Sequence, residues 1–101
     1  MYSFYIFYYG GDKMKYIVSC SKMNSVKTLM NQFVEKLREN NELLSIAEST
    51  KTVYLLNGDT YKFCTTKQSK SYILGSTIIH EGEFRKAVWN YNPVRDGKFR
   101  L

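Results

Sequence analysis

Thr52–Thr66, TVYLLNGDTYKFCTT, decides how the rest of the chain is read. Asn57-Gly58 sits between β-branched and aromatic residues, the strongest short-range sign of a β-hairpin, because both turn residues tolerate positive φ. The apolar pattern then selects the register. A two-residue loop sets Val53 and Leu55 against Thr60 and Lys62. An odd loop, Leu56-Asn57-Gly58 with Gly58 left-handed, puts Val53, Leu55, Tyr61 and Phe63 on one face. Only the second makes a coherent apolar surface, since a slip of one residue turns every side chain over. Tyr54, Lys62 and Cys64 then occupy the opposite face.

Upstream, Ser25–Asn40 carries Val26, Leu29, Met30, Phe33, Val34 and Leu37 at helical spacing, with Lys27, Gln32, Glu35, Lys36 and Glu39 on the wet side. Asn24 or Ser25 is the expected amino-terminal cap and Asn40-Asn41 the stop. Lys15–Ser19, KYIVS, reads as a strand buried on both faces. Glu42–Lys51 reads as a link, with Leu43, Leu44 and Ile46 tucked under the helix end.

Downstream, Thr66–Ser71 is a polar basic loop. Tyr72–His80 is a strand region interrupted at Gly75, with Ser76–Ile79 its firmest part. Glu83–Tyr91 fits a helix that ends before Asn92-Pro93, with a strand as the alternative. The order β-α-β-β-β, with its last element open, predicts a small two-layer α/β domain. One main amphipathic helix packs on a mixed sheet around the central hairpin. Ile17 and Ile78 or Ile79 are expected beside Val53, Leu55, Tyr61 and Phe63 under that helix.

Residues 14–101 fit a single globular domain with a basic C-terminal tail. Residues 1–13 stand apart, because Tyr2, Phe4, Tyr5, Phe7, Tyr8 and Tyr9 crowd into the first nine positions. Gly10-Gly11-Asp12-Lys13-Met14 is encodable by a purine-rich ribosome-binding site followed by a start codon. We read 1–13 as an untranslated leader carried in frame, with translation from Met14 in a low-GC Gram-positive bacterium or its phage. The alternative is an edge strand, Phe4–Tyr8, turned by Gly10-Gly11 against Lys15–Ser19.

The net charge of +6 excludes an acidic nucleic-acid mimic and favours an anionic partner or simple solubility. No apolar run reaches the length of about 20 residues that spans a bilayer. Cys20 and Cys64 lack CxxC spacing and read as reduced, partly buried thiols of a cytoplasmic protein. His80, Glu81 and Glu83 read as solvated charges at a turn, since neighbours on a strand end diverge and the chain has one histidine. Gly10-Gly11-Asp12-Lys13 lacks P-loop spacing. No catalytic residue, metal site or cofactor is expected.

Basic residues gather after the hairpin: Lys67, Lys70, Arg85, Lys86, Arg95, Lys98 and Arg100. Tyr72, Trp89, Tyr91 and Phe99 are interleaved with them. Cations neutralise phosphates and exposed aromatics stack on bases, so these seven are the candidate nucleic-acid-binding residues. The competing reading puts the aromatics in the core and the charges on a solvated face.

Lys15–Ile79 resembles the segment after the Walker A helix in the ATPase domain of tailed-phage terminase large subunits. The matching features are the strand Lys15–Ser19, the helix Ser25–Asn40, the hairpin Val53–Phe63 around Asn57-Gly58, and Gly75. The chain has no Walker A motif, and Thr77-Ile78-Ile79-His80-Glu81 lacks the acidic pair that follows a Walker B strand. The resemblance therefore implies a shared order of elements and transfers no functional residue. The expected function is that of a small non-catalytic phage or mobile-element accessory protein that binds nucleic acid or a nucleic-acid-associated complex. The alternative is a protein-binding inhibitor of a host enzyme, such as a defence nuclease or RNA polymerase. The expected partners are nucleic acid or a host or phage protein, and not a membrane.

Overall fold

The computed structural model describes residues 13–69, 76–91 and 99. The expected edge strand or leader, the break at Gly75, and Asn92-Pro93 lie outside them. The described chain forms a two-layer α/β domain. Its five-stranded sheet has the order β2-β3-β4-β1-β5, with β1 at Lys15–Cys20, β2 at Leu43–Ala47, β3 at Thr52–Leu55, β4 at Thr60–Thr65 and β5 at Thr77–His80. The helices are α1, Met23–Glu39, a single turn α2, Thr66–Ser69, and α3, Glu81–Asn90; a 3-10 turn spans Glu48–Thr50. β1 runs parallel to β4 and β5, while β2, β3 and β4 are antiparallel.

The hairpin adopts the odd register. Val53 pairs with Tyr61, and the Leu55 N–H donates to the Asp59 carbonyl at 3.0 Å, which leaves Leu56-Asn57-Gly58 as a three-residue loop. Gly58 has φ +99° and donates its N–H to the Leu55 carbonyl at 3.0 Å. Asn57 Oδ1 accepts from the Asp59 N–H at 2.8 Å, the local Asn side-chain bond that favours turns. Val53, Leu55, Tyr61 and Phe63 are all buried against the helices.

The apolar stripe of α1 lies on this platform, with Val26, Leu29, Met30, Phe33, Val34 and Leu37 all buried. Phe33 is the aromatic hub, its ring centroid 4.9 Å from Tyr61, 5.0 Å from Phe84 and 4.7 Å from Phe99. The helix stops as expected. Asn41 is left-handed at φ 56°, and the Glu42 N–H reaches back to the Leu37 carbonyl at 2.9 Å, as in a Schellman motif.

Four expectations are corrected. Helix α1 begins at Met23, before Asn24 or Ser25, and Lys22 in the N-cap position makes no side-chain capping bond. Residues 43–47 are not a link but the edge strand β2. The outer edge of β3 needs partners for its peptide groups, and that need outweighs the weak local pattern. A bulge between Leu43 and Ser45 turns Leu44 outward, 60 % exposed. The third correction concerns faces. Val18 is in register with Phe63 and Ile79, so those three share the helix side, whereas Ile17 lies with Lys62 and Ile78 on the other face. Finally, Thr66–Ser69 is not loop but one helical turn. The Gln68 side chain accepts from the Thr65 N–H at 3.1 Å, and the Gln68 N–H donates to the Thr65 hydroxyl at 3.3 Å, a reciprocal cap.

Candidate nucleic-acid interface

Helix α3 carries two of the three described residues of the expected basic region, Arg85 and Lys86. Glu81 and Glu83 occupy its first turn, where carboxylates favour the positive end of the helix dipole. This corrects the reading of His80, Glu81 and Glu83 as a solvated turn: His80 ends β5 and the two acids start a helix. Phe84 and Val88 face the core. Arg85, Lys86 and Trp89 fall at i, i+1 and i+4, so they share the outward face. Trp89 is 83 % exposed.

Glu81 ties this helix to the turn after β1. Its Oε1 accepts from the Ser21 N–H at 2.9 Å and the Ser21 hydroxyl at 3.1 Å, and its Oε2 accepts from Arg85 at 2.6 Å. The Ser21 N–H, then Arg85, holds the Glu81 carboxyl below its ordinary range against the opposing effect of burial. Arg85 is half-exposed, so its pair with Glu81 contributes about 0.3–0.5 kcal/mol, in the favourable acid-first orientation. This bond fixes the Arg85 guanidinium while leaving its outer edge to solvent.

A groove of about 240 Å³ runs between α1 and α3, lined by Gln32, Glu35, Lys36, Glu39, Arg85, Val88 and Trp89. Lys36 Nζ donates to the Tyr91 carbonyl at 2.9 Å, which closes one end.

The other candidates divide. Lys67 is exposed on α2, which is anchored by Thr66: its hydroxyl donates to the Cys20 carbonyl at 3.2 Å and accepts from Ser19 at 3.0 Å. Lys70, Arg95, Lys98, Arg100 and Tyr72 lie outside the described residues. Tyr91 and Phe99 are not stacking platforms. Tyr91 is buried, its hydroxyl donates to Glu42 Oε1 at 2.8 Å, and Phe99 packs on Phe33. Burial, then the hydrogen bond to Glu42, pushes the Tyr91 hydroxyl above its ordinary range. For these two aromatics the core reading holds; Trp89 takes the other path.

Both cysteines are free and buried. Burial, aided by Glu81, pushes the Cys20 thiol up to about 11, so it stays protonated at neutral pH. Among the described residues no group of three or more His, Cys, Asp or Glu converges to hold a metal, and no helix is long and apolar enough to cross a membrane.

The sequence reading missed Lys27, Lys51 and Lys62, which line a second groove. The signal was present in the hairpin register. Pairing Thr52 with Lys62 draws Lys51 and Lys62 to one end of the β3–β4 ladder. Comparison with family models, curated proteins and solved structures finds no match to this chain.

Proposed function

We propose that the chain is a non-catalytic accessory protein of a phage or mobile element that binds single-stranded nucleic acid. Trp89 stacks on a base, and Lys86, with Arg85 and Lys67, neutralises flanking phosphates. The observation that carries this reading is Trp89, almost wholly exposed on the same helix face as two cations. Base–aromatic stacking contributes about 1–3 kcal/mol per base and tolerates any sequence. The sequence-level candidates Lys70, Arg95, Lys98 and Arg100 extend the same basic character beyond the described residues.

A mobility-shift titration with a generic single strand at low salt tests it. Trp89→Ala is expected to weaken binding by about 1–3 kcal/mol, roughly fivefold to 150-fold in Kd, with no loss of fold. Lys86→Ala is expected to lower the slope of log K against log salt by about 0.7. A wild-type protein that shifts no strand at low salt would sink the proposal.

A second reading rests on the acids of the groove. Glu35 and Glu39 line it beside Trp89, and they repel phosphate but suit a cationic segment of a protein partner. Exposed Trp is a frequent anchor of such contacts. This is the inhibitor alternative, with a host enzyme as target. It predicts capture of a single protein, sensitive to Trp89→Ala and Glu35→Lys, with no nucleic acid in the complex.

A further inference from the structure

A second groove lies away from α3, where the β3–β4 ladder ends. The last bond on that side runs from the Phe63 N–H to the Lys51 carbonyl at 2.8 Å, while β4 continues to Thr65. Beside it a groove of about 300 Å³ lies between the 3-10 turn, β4 and the start of α1. Lys27, Lys51 and Lys62 line it together with Thr50 and Gln68, and among the described residues no Asp or Glu does.

Two of the ammonium groups converge on one short turn. Lys51 Nζ donates to the Glu48 carbonyl at 3.0 Å, and Lys62 Nζ donates to the Thr50 carbonyl at 3.2 Å. Neither Lys27 nor Lys51 forms an ion pair among the described residues. The surroundings add to the positive field. Lys22 stands in the N-cap position of α1, whose first turn holds no acid of its own; the carboxylate at the preceding turn, Glu81, is engaged by Ser21 and Arg85.

Lys51 also sits in an unfavourable conformation. Its φ of 53° and ψ of 46° are left-handed, a region that suits Gly or Asn. Strain of this kind concentrates at binding sites, where the side chain is needed in spite of the backbone.

We propose that this groove binds the terminal phosphate of a phosphomonoester. A dianionic phosphate complements three lysines that line one groove. The phosphomonoester comes either from a free nucleotide or from the 5′ end of a nucleic-acid strand. The site does not rest on the reading of Trp89.

The test is calorimetric titration of the full chain at low salt with AMP, inorganic phosphate and adenosine, and with one oligonucleotide carrying or lacking a 5′-phosphate. AMP or the phosphorylated strand is expected to bind, with adenosine and the unphosphorylated strand at least tenfold weaker. AMP binding assigns the free nucleotide; binding of the phosphorylated strand alone assigns the strand end. Lys51→Gly relieves the left-handed backbone while removing the charge. It should keep or raise thermal stability and still weaken phosphate binding about tenfold. Lys27→Gln, on the exposed side of α1, provides a second variant with the same expected loss. Failure of both AMP and the phosphorylated strand to bind the folded protein overturns the proposal. So does equal affinity for adenosine and AMP, or unchanged affinity in the Lys27→Gln, Lys51→Gly double variant.

Discussion

Gly58→Ala separates backbone strain from steric crowding at the hairpin. Gly58 holds φ +99°, and an L residue in left-handed backbone costs about 1–2 kcal/mol. A Cβ there would also sit 2.9 Å from Cγ of Lys13. That neighbour is the stem of an exposed, flexible side chain, so its adjustment costs only about 0.5 kcal/mol, the scale of a modest rotamer change. Against these, alanine restricts the unfolded chain and returns about 0.4–1 kcal/mol. The net expectation is a loss of about 1 kcal/mol, or roughly 4–8 °C in Tm for a domain of this size. Urea unfolding monitored by circular dichroism measures it, with an unchanged m-value showing that the native state is otherwise intact. The discriminating measurement is the cycle with Lys13→Ala. Backbone strain predicts that Lys13→Ala rescues no more than about half of the loss. A Gly58→Ala protein as stable as wild type, or one fully rescued by Lys13→Ala, refutes the assignment of the loop to positive-φ geometry.

Phe33→Ala should cost about 3–5 kcal/mol in urea unfolding, because the fully buried ring contacts the hairpin, α3 and Phe99 together. A loss below about 1 kcal/mol would show that these elements do not share one core. Glu81 predicts acid sensitivity with a definite sign. Its folded carboxyl lies below the ordinary value of 4.5, so its stabilisation is present above that pH and is lost as pH falls through the folded value. Glu81→Gln should remove that component, so a variant whose unfolding between neutral pH and pH 3 parallels wild type would refute the clasp on Ser21 and Arg85.

The sequence by itself determined what depends on short-range periodicity. The spacing of Val26, Leu29, Phe33 and Leu37 defined α1 and its buried stripe. Asn57-Gly58 with alternating Val53, Leu55, Tyr61 and Phe63 defined the three-residue loop and the platform under the helix. The continuous apolar centre of β1 marked a strand with neighbours on both sides. These signals are local, because each reports a side chain's direction relative to residues a few positions away.

Only the tertiary structure decided the rest. Leu43–Ala47 has no strong strand pattern and became β2 because the edge of β3 required partners. The offset of β1 against β4 and β5 put Val18, not Ile17, under the helices. Tyr91 and Trp89 are two residues apart and equally aromatic. One is buried and bonded to Glu42, the other stands in solvent, because the end of α3 turns one side chain back toward α1. Lys27, Lys51 and Lys62 are spread along the sequence and meet only because one hairpin register and one helix bring their ends to a common groove. The Asn57-Gly58 turn was thus legible as a turn. That its register also gathers lysines at the far end of the ladder is a property of three elements packed together.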